Sequence, residues 1–246
     1  MRILFCILIG YLLGALSPDA LISKLKHKSL RENGTGNLGA TNTMFVFGKK
    51  FGVIVMLFDI AKSFFAVWCV RRIVPETELL SLAAGVCAII GHCFPFYLKW
   101  KGGKGLAAFA GLILAYDPRL FLFLLVCGTA LMLIVNYSFI LPFYAATVFS
   151  VFAAITSKNV PHTLLCAAAS VIIMIMHASN VKKARNGTDQ RIRDFLRKTQ
   201  HKRIGKEKFR VRYFGIKIIY RKKYCGLRKK RLSLMIKDIT ITAFSF

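Results

Sequence analysis

The chain has 246 residues, of which 56% are hydrophobic, and its mean hydropathy is +0.54. The apolar residues form long blocks, so the composition excludes an ordinary soluble enzyme and predicts a polytopic membrane protein. Of the 37 lysines and arginines, set against ten acidic residues, 19 lie in positions 191–246. The sequence therefore predicts a membrane domain, 1–189, followed by a strongly basic extension, 190–246.

Seven apolar segments are candidates for membrane spans, because a helix of about 20 residues crosses the hydrocarbon core of a bilayer. They lie at about 3–22, 51–70, 79–98, 105–115, 119–135, 139–157 and 162–178. The fourth is well short of the core thickness at ~1.5 Å per residue, so we expect it to be tilted or half-buried. The predicted fold is an all-α membrane protein with seven transmembrane helices.

Lysine and arginine are concentrated in alternate loops of this arrangement. The loop after the first span, the loop after the third and the C-terminal tail hold most of them, whereas the opposite loops hold few. Because cytoplasmic loops of membrane proteins carry the excess of basic residues, the three basic regions are predicted to be cytoplasmic. With seven spans, the N-terminus is then outside and the C-terminus is in the cytoplasm.

The first basic loop contains the run GTGNLGATN, residues 34–42. Gly34, Gly36 and Gly39 have the spacing of a dinucleotide-binding loop, but such a loop follows a hydrophobic strand, and here the charged stretch SKLKHKSLREN precedes it. We therefore reject a dinucleotide site. Glycines also let several backbone N–H groups turn towards one anion, so the run predicts a phosphate-binding loop.

Two further polar clusters lie on the same predicted face. GHCFPFYLKWKGGKG, residues 91–105, places Lys101 and Lys104 around two glycines, and Gly105 is expected to open the short fourth span. The dipole of that helix would favour an anion at the same place. The third cluster is HASNVKKARNG, residues 177–187, at the end of the last span. Helix packing and membrane-anchoring lysines explain any one cluster, but three on one face favour a site for a phosphate-bearing substrate.

In order and spacing these three stretches resemble the motifs of the acyl-phosphate–glycerol-3-phosphate acyltransferases, the PlsY family. The resemblance covers about residues 1–189, and GGKG with the upstream GH-x-x-P is its most specific part. It implies a seven-span enzyme of the bacterial plasma membrane that transfers an acyl chain from acyl phosphate to the 1-hydroxyl of glycerol 3-phosphate. The products would be lysophosphatidic acid, for phospholipid synthesis, and inorganic phosphate.

The resemblance and the chemistry of the loops together indicate the site residues. Catalytic roles are expected for Thr35, Lys104 and His177, with Thr35 standing where the family has serine. Substrate contacts are expected from Gly36, Asn37, Asn42, His92, Lys101, Gly102, Gly103, Ser138 and Asn180. Ser138 is included because its short loop lies on the same predicted face, and a capping or packing role is an equal alternative for His92.

Asp59 and Lys62 match a D-x-x-K pair of the family within the second span. At this spacing two side chains share one helix face, and opposite charges inside a membrane can neutralise each other. We interpret the pair first as structural.

Three positions depart from the family pattern. Phe45 stands where the first motif has arginine, and Ala178 and Asp189 replace an arginine and a glutamate of the third motif. Losing the first arginine removes a bidentate phosphate contact that lysine cannot reproduce. The alternative function is therefore a catalytically weak or inactive relative that binds phosphate metabolites or a partner in lipid synthesis. A transporter of a phosphorylated solute is a third hypothesis.

The reaction that the resemblance implies makes modest demands on the protein, because acyl phosphate already carries a good leaving group. The chain has no G-x-S-x-G motif, and no H-x4-D pattern begins at His92. We expect direct attack by the glycerol hydroxyl without an acyl-enzyme, with the proton passing to a substrate phosphate or to His177. No metal and no cofactor are expected.

The basic extension contains two stretches, FRVRYFGIKIIY and MIKDITITAF, in which apolar and polar residues alternate. They predict two strands of a small hairpin, with RKKYCGLRKKR as the turn, and a solvated or disordered basic tail is the alternative. The charge is expected to hold the extension against anionic lipid, at about 1 kcal/mol per nearby charge. No nucleic-acid-binding motif is present, so no nucleic acid partner is expected.

Overall fold

The computed structural model describes residues 1–157 and 159–187, together with the backbone of two strands at 209–213 and 216–220. Its helices are α1 Arg2–Ala15, α2 Pro18–Leu25, α3 Ala40–Phe47, α4 Lys49–Ile73, α5 Glu78–Cys93, α6 Leu106–Tyr116, α7 Pro118–Val135, α8 Ile140–Thr156 and α9 Val160–Arg185. A single 3-10 turn lies at Phe96–Leu98, and the strands are β1 Phe209–Tyr213 and β2 Ile216–Tyr220. The chain divides into two compact units, Met1–Asp189 and Gln190–Phe246.

The first unit is a bundle of apolar helices. Five helical stretches are long and apolar enough to cross a membrane, namely Arg2–Leu25, Lys49–Ile73, Glu78–Leu98, Pro118–Val135 and Val160–Arg185. Two further apolar helices, α6 with 11 residues and α8 with 17, are shorter. Each predicted span therefore coincides with an apolar helical stretch, and the short fourth helix is confirmed. Membrane crossing by α6 and α8 stays a prediction.

The first span is not the continuous helix that the sequence predicted at 3–22. The helix breaks after Ala15, because Pro18 lacks an N–H group and keeps the residue before it out of the helical conformation. Asp19, which lies in the first turn of α2 and is only 3% exposed, accepts the N–H of Ala20 at 2.8 Å. The carbonyl of Leu16 is left at the break, outside both helices.

Helices α1 and α5 approach each other with backbone against backbone. A Cβ placed on Gly10 would lie 2.2 Å from the carbonyl oxygen of Ala84, and one on Gly14 would lie 2.0 Å from that of Ala88. Small residues four apart on both helices are the usual means of such close packing in membranes. Because Gly10 and Gly14 meet residues that advance in the same direction, the two helices run parallel and end at the same end of the bundle.

The short helix α6 lies at the centre of the core. Ala108, Phe109 and Leu112 are fully buried on it, and the Phe109 ring meets Phe149 of α8 edge to face at 5.4 Å between centroids. A Cβ on Gly111 would lie 2.1 Å from the Ile60 carbonyl oxygen, so α6 also touches the backbone of α4. Only one residue separates α6 from α7, which begins at Pro118.

The second unit contains an antiparallel hairpin of β1 and β2, in which Phe209 is opposite Tyr220 and Tyr213 is opposite Ile216. FRVRYFGIKIIY was predicted as one strand, and it instead contains both strands of this hairpin, whereas the predicted turn at RKKYCGLRKKR lies outside the described residues. The chain reverses within FRVRYFGIKIIY itself, between Tyr213 and Ile216, so this one stretch forms both strands. The predicted strand MIKDITITAF lies outside the described residues.

Candidate active site

A single side chain organises the glycine-rich loop at 34–39. Asn42, on the first turn of α3 and 2% exposed, shares the two hydrogens of Nδ2 among the carbonyls of Leu30 at 2.8 Å, Asn33 at 3.1 Å and Asn37 at 2.8 Å. Its Oδ1 accepts the backbone N–H of Thr35 at 2.7 Å. The loop therefore curls around the side-chain amide of Asn42, whose Nδ2 and Oδ1 are both bonded to loop backbone.

Gly34 and Gly36 adopt the left-handed conformation that this curl requires, with φ of 69° and 77°. A Cβ on Gly34 would also lie 2.1 Å from the Asn42 Oδ1. Both glycines are therefore needed for backbone reasons, and Gly34 is needed for space as well.

The second loop folds back onto the end of α5. The N–H of Gly102 donates to the Cys93 carbonyl at 2.9 Å, and that of Gly103 donates to the His92 carbonyl at 3.1 Å. A Cβ on Gly103 would lie 2.2 Å from His92 Nε2, so the loop backbone rests directly on the imidazole ring. This contact places Lys104 just before the N-terminus of α6, whose N-cap is Gly105, as the sequence predicted.

An arginine joins the first loop to the second. Arg31 Nη2 donates to the carbonyls of Lys101 at 2.6 Å and Leu98 at 3.2 Å. The two loops also touch further along, where a Cβ on Gly103 would lie 3.1 Å from the Leu38 carbonyl oxygen. The first two clusters therefore form one surface.

Lys104 joins the second loop to the third cluster. Its Nζ donates to the side-chain oxygen of Asn180 and to Ser179 Oγ at 3.3 Å, both near the C-terminal end of α9. A Cβ on the neighbouring Gly105 would lie 3.0 Å from Ile173 of the same helix. All three stretches thus meet at the end of the bundle where α1 and α5 finish.

His177 is buried beside this junction with 5% of its surface exposed. Its Nδ1 lies 3.0 Å from the Ile173 carbonyl, one turn earlier on α9. A carbonyl oxygen only accepts, so Nδ1 carries the proton and, in the neutral ring, Nε2 has the free lone pair. In this tautomer Nε2 is the acceptor atom of the ring.

The remaining predicted residues are distributed unevenly. Gly36 and Lys101 are exposed on the two joined loops, and Asn37 is half-buried with its carbonyl bonded to the Asn42 amide. The backbone N–H of Thr35 is bonded to Asn42, and Thr35 is exposed. Ser138 is exposed between α7 and α8, and within residues 1–157 and 159–187 no hydrogen bond ties it to the three loops.

His92 belongs to a buried charged cluster with Asp59 and Lys62. Lys62 Nζ lies 2.8 Å from Asp59 Oδ1, which confirms the predicted pair, and 2.9 Å from His92 Nδ1. The same Asp59 oxygen lies 3.3 Å from His92 Nδ1. The sequence missed the third member, because nothing in the spacing brings α5 to this point of α4.

A basic cleft of about 370 Å³ opens beside the first loop. Its cationic lining comes from Lys24, Lys28 and Arg31. An anion that approaches the joined loops from this side meets positive charge before it reaches the glycines.

Two residues of the junction were missed at the sequence level. Arg31 was counted only among the basic residues of a cytoplasmic loop, and Ser179 was not singled out. Their position next to the motifs is the one signal that the sequence offers, since Arg31 precedes the glycine run by three residues and Ser179 adjoins Asn180. Within the described residues no three His, Cys, Asp or Glu side chains lie together as metal ligands.

The sequence model of one protein family, described as glycerol-3-phosphate acyltransferase, matches residues 4–187. The chain is 35% identical over 196 residues to a glycerol-3-phosphate acyltransferase of Macrococcus caseolyticus, covering 78% of this chain and 98% of that protein. It is 31% identical over 207 residues to one of Enterococcus faecalis, covering 80% and 95%.

Two solved structures share the fold. They are crystal structures of PlsY, an integral membrane glycerol 3-phosphate acyltransferase, in its glycerol 3-phosphate form and its lysophosphatidic acid form. The TM-scores are 0.73 and 0.71, with identities of 28% and 27%. The match covers 78% of this chain and 96% or 95% of the other.

Proposed function

The chain belongs to the glycerol-3-phosphate acyltransferase family, and from this premise we propose that it acylates glycerol 3-phosphate for phospholipid synthesis. The acyl donor is acyl phosphate, and the products are lysophosphatidic acid and inorganic phosphate. The observation that carries the proposal is the junction at Lys104, whose ammonium group reaches from the second loop to Asn180 of the third cluster. A cation held between two loops suits a substrate with a phosphate group.

Lys104 and the two joined loops supply the electrostatic part of the reaction. Lys104 precedes the N-terminus of α6, where the unpaired N–H groups of the first turn also favour negative charge. In the glycine run the N–H groups of Thr35 and Gly36 already donate to Asn42 Oδ1 and the Asn33 carbonyl, so any further donors come from the rest of the run. Together they stabilise the phosphate of glycerol 3-phosphate and the phosphate that leaves the donor.

The chemical step is a direct acyl transfer. The 1-hydroxyl oxygen of glycerol 3-phosphate attacks the carbonyl carbon of acyl phosphate, the carbon–oxygen bond to phosphate breaks, and its electron pair leaves with phosphate. The hydroxyl proton passes to His177 Nε2, which the Nδ1 contact with Ile173 leaves as the acceptor atom of the ring, or to a substrate phosphate. Thr35 contributes a hydroxyl to bind either substrate.

The membrane arrangement is part of the proposal. Residues 1–189 form the acyltransferase unit with seven crossings in the bacterial plasma membrane, the N-terminus outside, and the two loops and the C-terminal end of α9 on the cytoplasmic side. The excess of lysine and arginine in those loops supports this orientation. The basic extension, 190–246, lies against anionic lipid of the same leaflet.

The test supplies purified protein in lipid nanodiscs with acyl phosphate and glycerol 3-phosphate. We expect release of inorganic phosphate and formation of lysophosphatidic acid in equal amounts, and no acylation from acyl-CoA or acyl carrier protein. Lys104→Met, which keeps an unbranched apolar side chain of similar size and removes the charge, is expected to reduce the rate about 10²- to 10³-fold. Equal rates for the two proteins would contradict the proposed site.

Phe45 favours a second candidate, a weak or inactive relative. It lies half-buried on α3, one turn beyond Asn42, at the position where the family pattern has arginine. We expect Phe45→Arg to raise kcat/KM about tenfold, because a charged hydrogen bond to phosphate contributes about 1.5–3 kcal/mol. Phe45→Met, similar in size and uncharged, is the control. A folded wild type without turnover, with activity only in Phe45→Arg, would favour the second candidate.

A further inference from the structure

Three ionisable side chains are buried together beside the second loop, where α1 and α5 end. Asp59 is 1% exposed, Lys62 5% and His92 9%. Removing charges from water inside a membrane protein costs free energy, and an apolar pair of the same size would pack here without that cost. Simple packing therefore does not account for the cluster.

Lys62 reaches beyond its partners on α4 and α5 to the break in the first span. Its Nζ donates to the Leu16 carbonyl at 2.7 Å. That carbonyl lies at the interruption before Pro18, and the N–H of Ala20, its helical partner in an unbroken helix, bonds to Asp19 instead. One ammonium group thus holds the end of α1, the middle of α4 and the end of α5.

His92 connects Lys62 to the second loop. Its Nδ1 meets Lys62, and its opposite nitrogen, Nε2, faces Gly103, where even a methyl group would lie 2.2 Å away. Its carbonyl accepts the Gly103 N–H at 3.1 Å. The backbone of the loop is therefore fixed from two sides by the same residue, and Lys104 is the next residue along the chain.

We propose that Asp59, Lys62 and His92 act as a positioning unit that sets the location of Lys104 at the phosphate subsite. The cluster touches no substrate itself. The cluster holds the imidazole ring of His92 in one orientation, and the ring packs against Gly103. The position of Gly103 in turn sets the backbone position of Lys104. This proposal rests on the proposed function only for the role of Lys104, since the effect on the loop itself is independent of catalysis.

The critical variant is Asp59→Asn combined with Lys62→Met. Removing both charges avoids the unpaired buried charge that a single substitution would leave, so the protein is expected to fold. The His92 ring then loses its ionic partners, and we expect kcat/KM to fall about 10²-fold, as small displacements of a catalytic group do. Val70→Ala, on the same helix and packed in a different apolar cluster with Cys6 and Ala84, is the matched control for lost stability alone.

A double-mutant cycle separates positioning from general damage. If the cluster acts through Lys104, adding Lys104→Met to the Asp59→Asn/Lys62→Met protein lowers kcat/KM no further than Lys104→Met alone. Fully multiplicative losses would overturn the proposal.

Hydrogen exchange of the peptide 99–105 gives a readout that needs no turnover. We expect faster exchange of the Gly102 and Gly103 amides in the Asp59→Asn/Lys62→Met protein and unchanged exchange in Val70→Ala. Unchanged exchange in the Asp59→Asn/Lys62→Met protein would overturn the proposal. If the wild-type protein showed no turnover, the proposed function would be contradicted. The hydrogen-exchange result would still decide whether the cluster positions the loop.

Discussion

The first and second loops reach the same surface by different means. The first loop is organised from within, because Asn42, which belongs to the next helix turn, bonds four backbone groups of its own neighbourhood. The second loop is held from outside, by the end of α5 and by a charged cluster that extends to α1 and α4. A substitution in α4 or α5 can therefore displace the second loop, whereas the first loop depends mainly on Asn42.

The largest effect on the second loop is expected from a substitution that adds bulk between Gly103 and His92. Gly103→Ala would put a methyl group against His92 Nε2, and His92 cannot retreat without disturbing Lys62 and Asp59. We expect kcat/KM to fall about 100-fold. The measurement is steady-state phosphate release. Gly187→Ala, which carries the backbone strain of a φ of 69° but adds a methyl that meets nothing within 4 Å, is the control for a glycine substitution without crowding, and an equal loss there would contradict this account.

The first loop should respond most to its internal organiser. Asn42→Ala removes the donor to the Leu30, Asn33 and Asn37 carbonyls and leaves buried backbone groups unpaired, at an expected cost of about 2–4 kcal/mol. We expect roughly tenfold lower activity and a lower thermal midpoint in detergent.

Asn42→Asp sharpens the same test. It keeps an oxygen for the Thr35 N–H but cannot donate to the three carbonyls. If its thermal midpoint matched that of the wild type, the three donated bonds would not be what holds the loop.

Two glycines of the first loop separate backbone strain from crowding. Gly34→Ala meets both, since φ is 69° and the new Cβ would lie 2.1 Å from Asn42 Oδ1, whereas Gly36→Ala, with φ of 77°, meets only the Arg31 carbonyl at 3.3 Å. We expect Gly36→Ala to cost about 1–2 kcal/mol and Gly34→Ala more. The reverse order of thermal midpoints would show that Asn42 does not sit against Gly34 in solution.

Ser138 lies outside both loops. It is exposed between α7 and α8, on a connection that shares none of the anchoring described above. We expect Ser138→Ala to change kcat/KM by less than about twofold, the size of an ordinary surface substitution. A tenfold loss would instead extend the substrate site to this connection.

Much of the bundle was predictable, because a bilayer demands long apolar stretches and every such stretch forms a helix. The break at Pro18 was missed because hydropathy averages over a proline within an apolar block. The partnership of His92 with Lys62 was missed for a different reason. It depends on which helices pack together, and a single sequence carries no record of that.

The site was predictable in its motifs and less so in their connections. The sequence brought forward Lys104 and Asn180 as separate candidates, and the structure joins them. It overlooked Arg31, since one cation in a basic loop resembles any other until its carbonyl partners are known. In the extension, the alternation in FRVRYFGIKIIY predicted strands but could not show that the chain reverses at its middle.

The backbone contact between Gly10 and Ala84 has a consequence for synthesis. The first helix enters the bilayer long before its closest partner is made, since 74 residues separate the two positions. At about 5–20 residues per second, α1 waits roughly 4–15 s beside lipid or the insertion machinery. A bulky residue at Gly10 would therefore leave the finished helix intact in the bilayer but unable to dock, and the defect would arise during biogenesis on the ribosome.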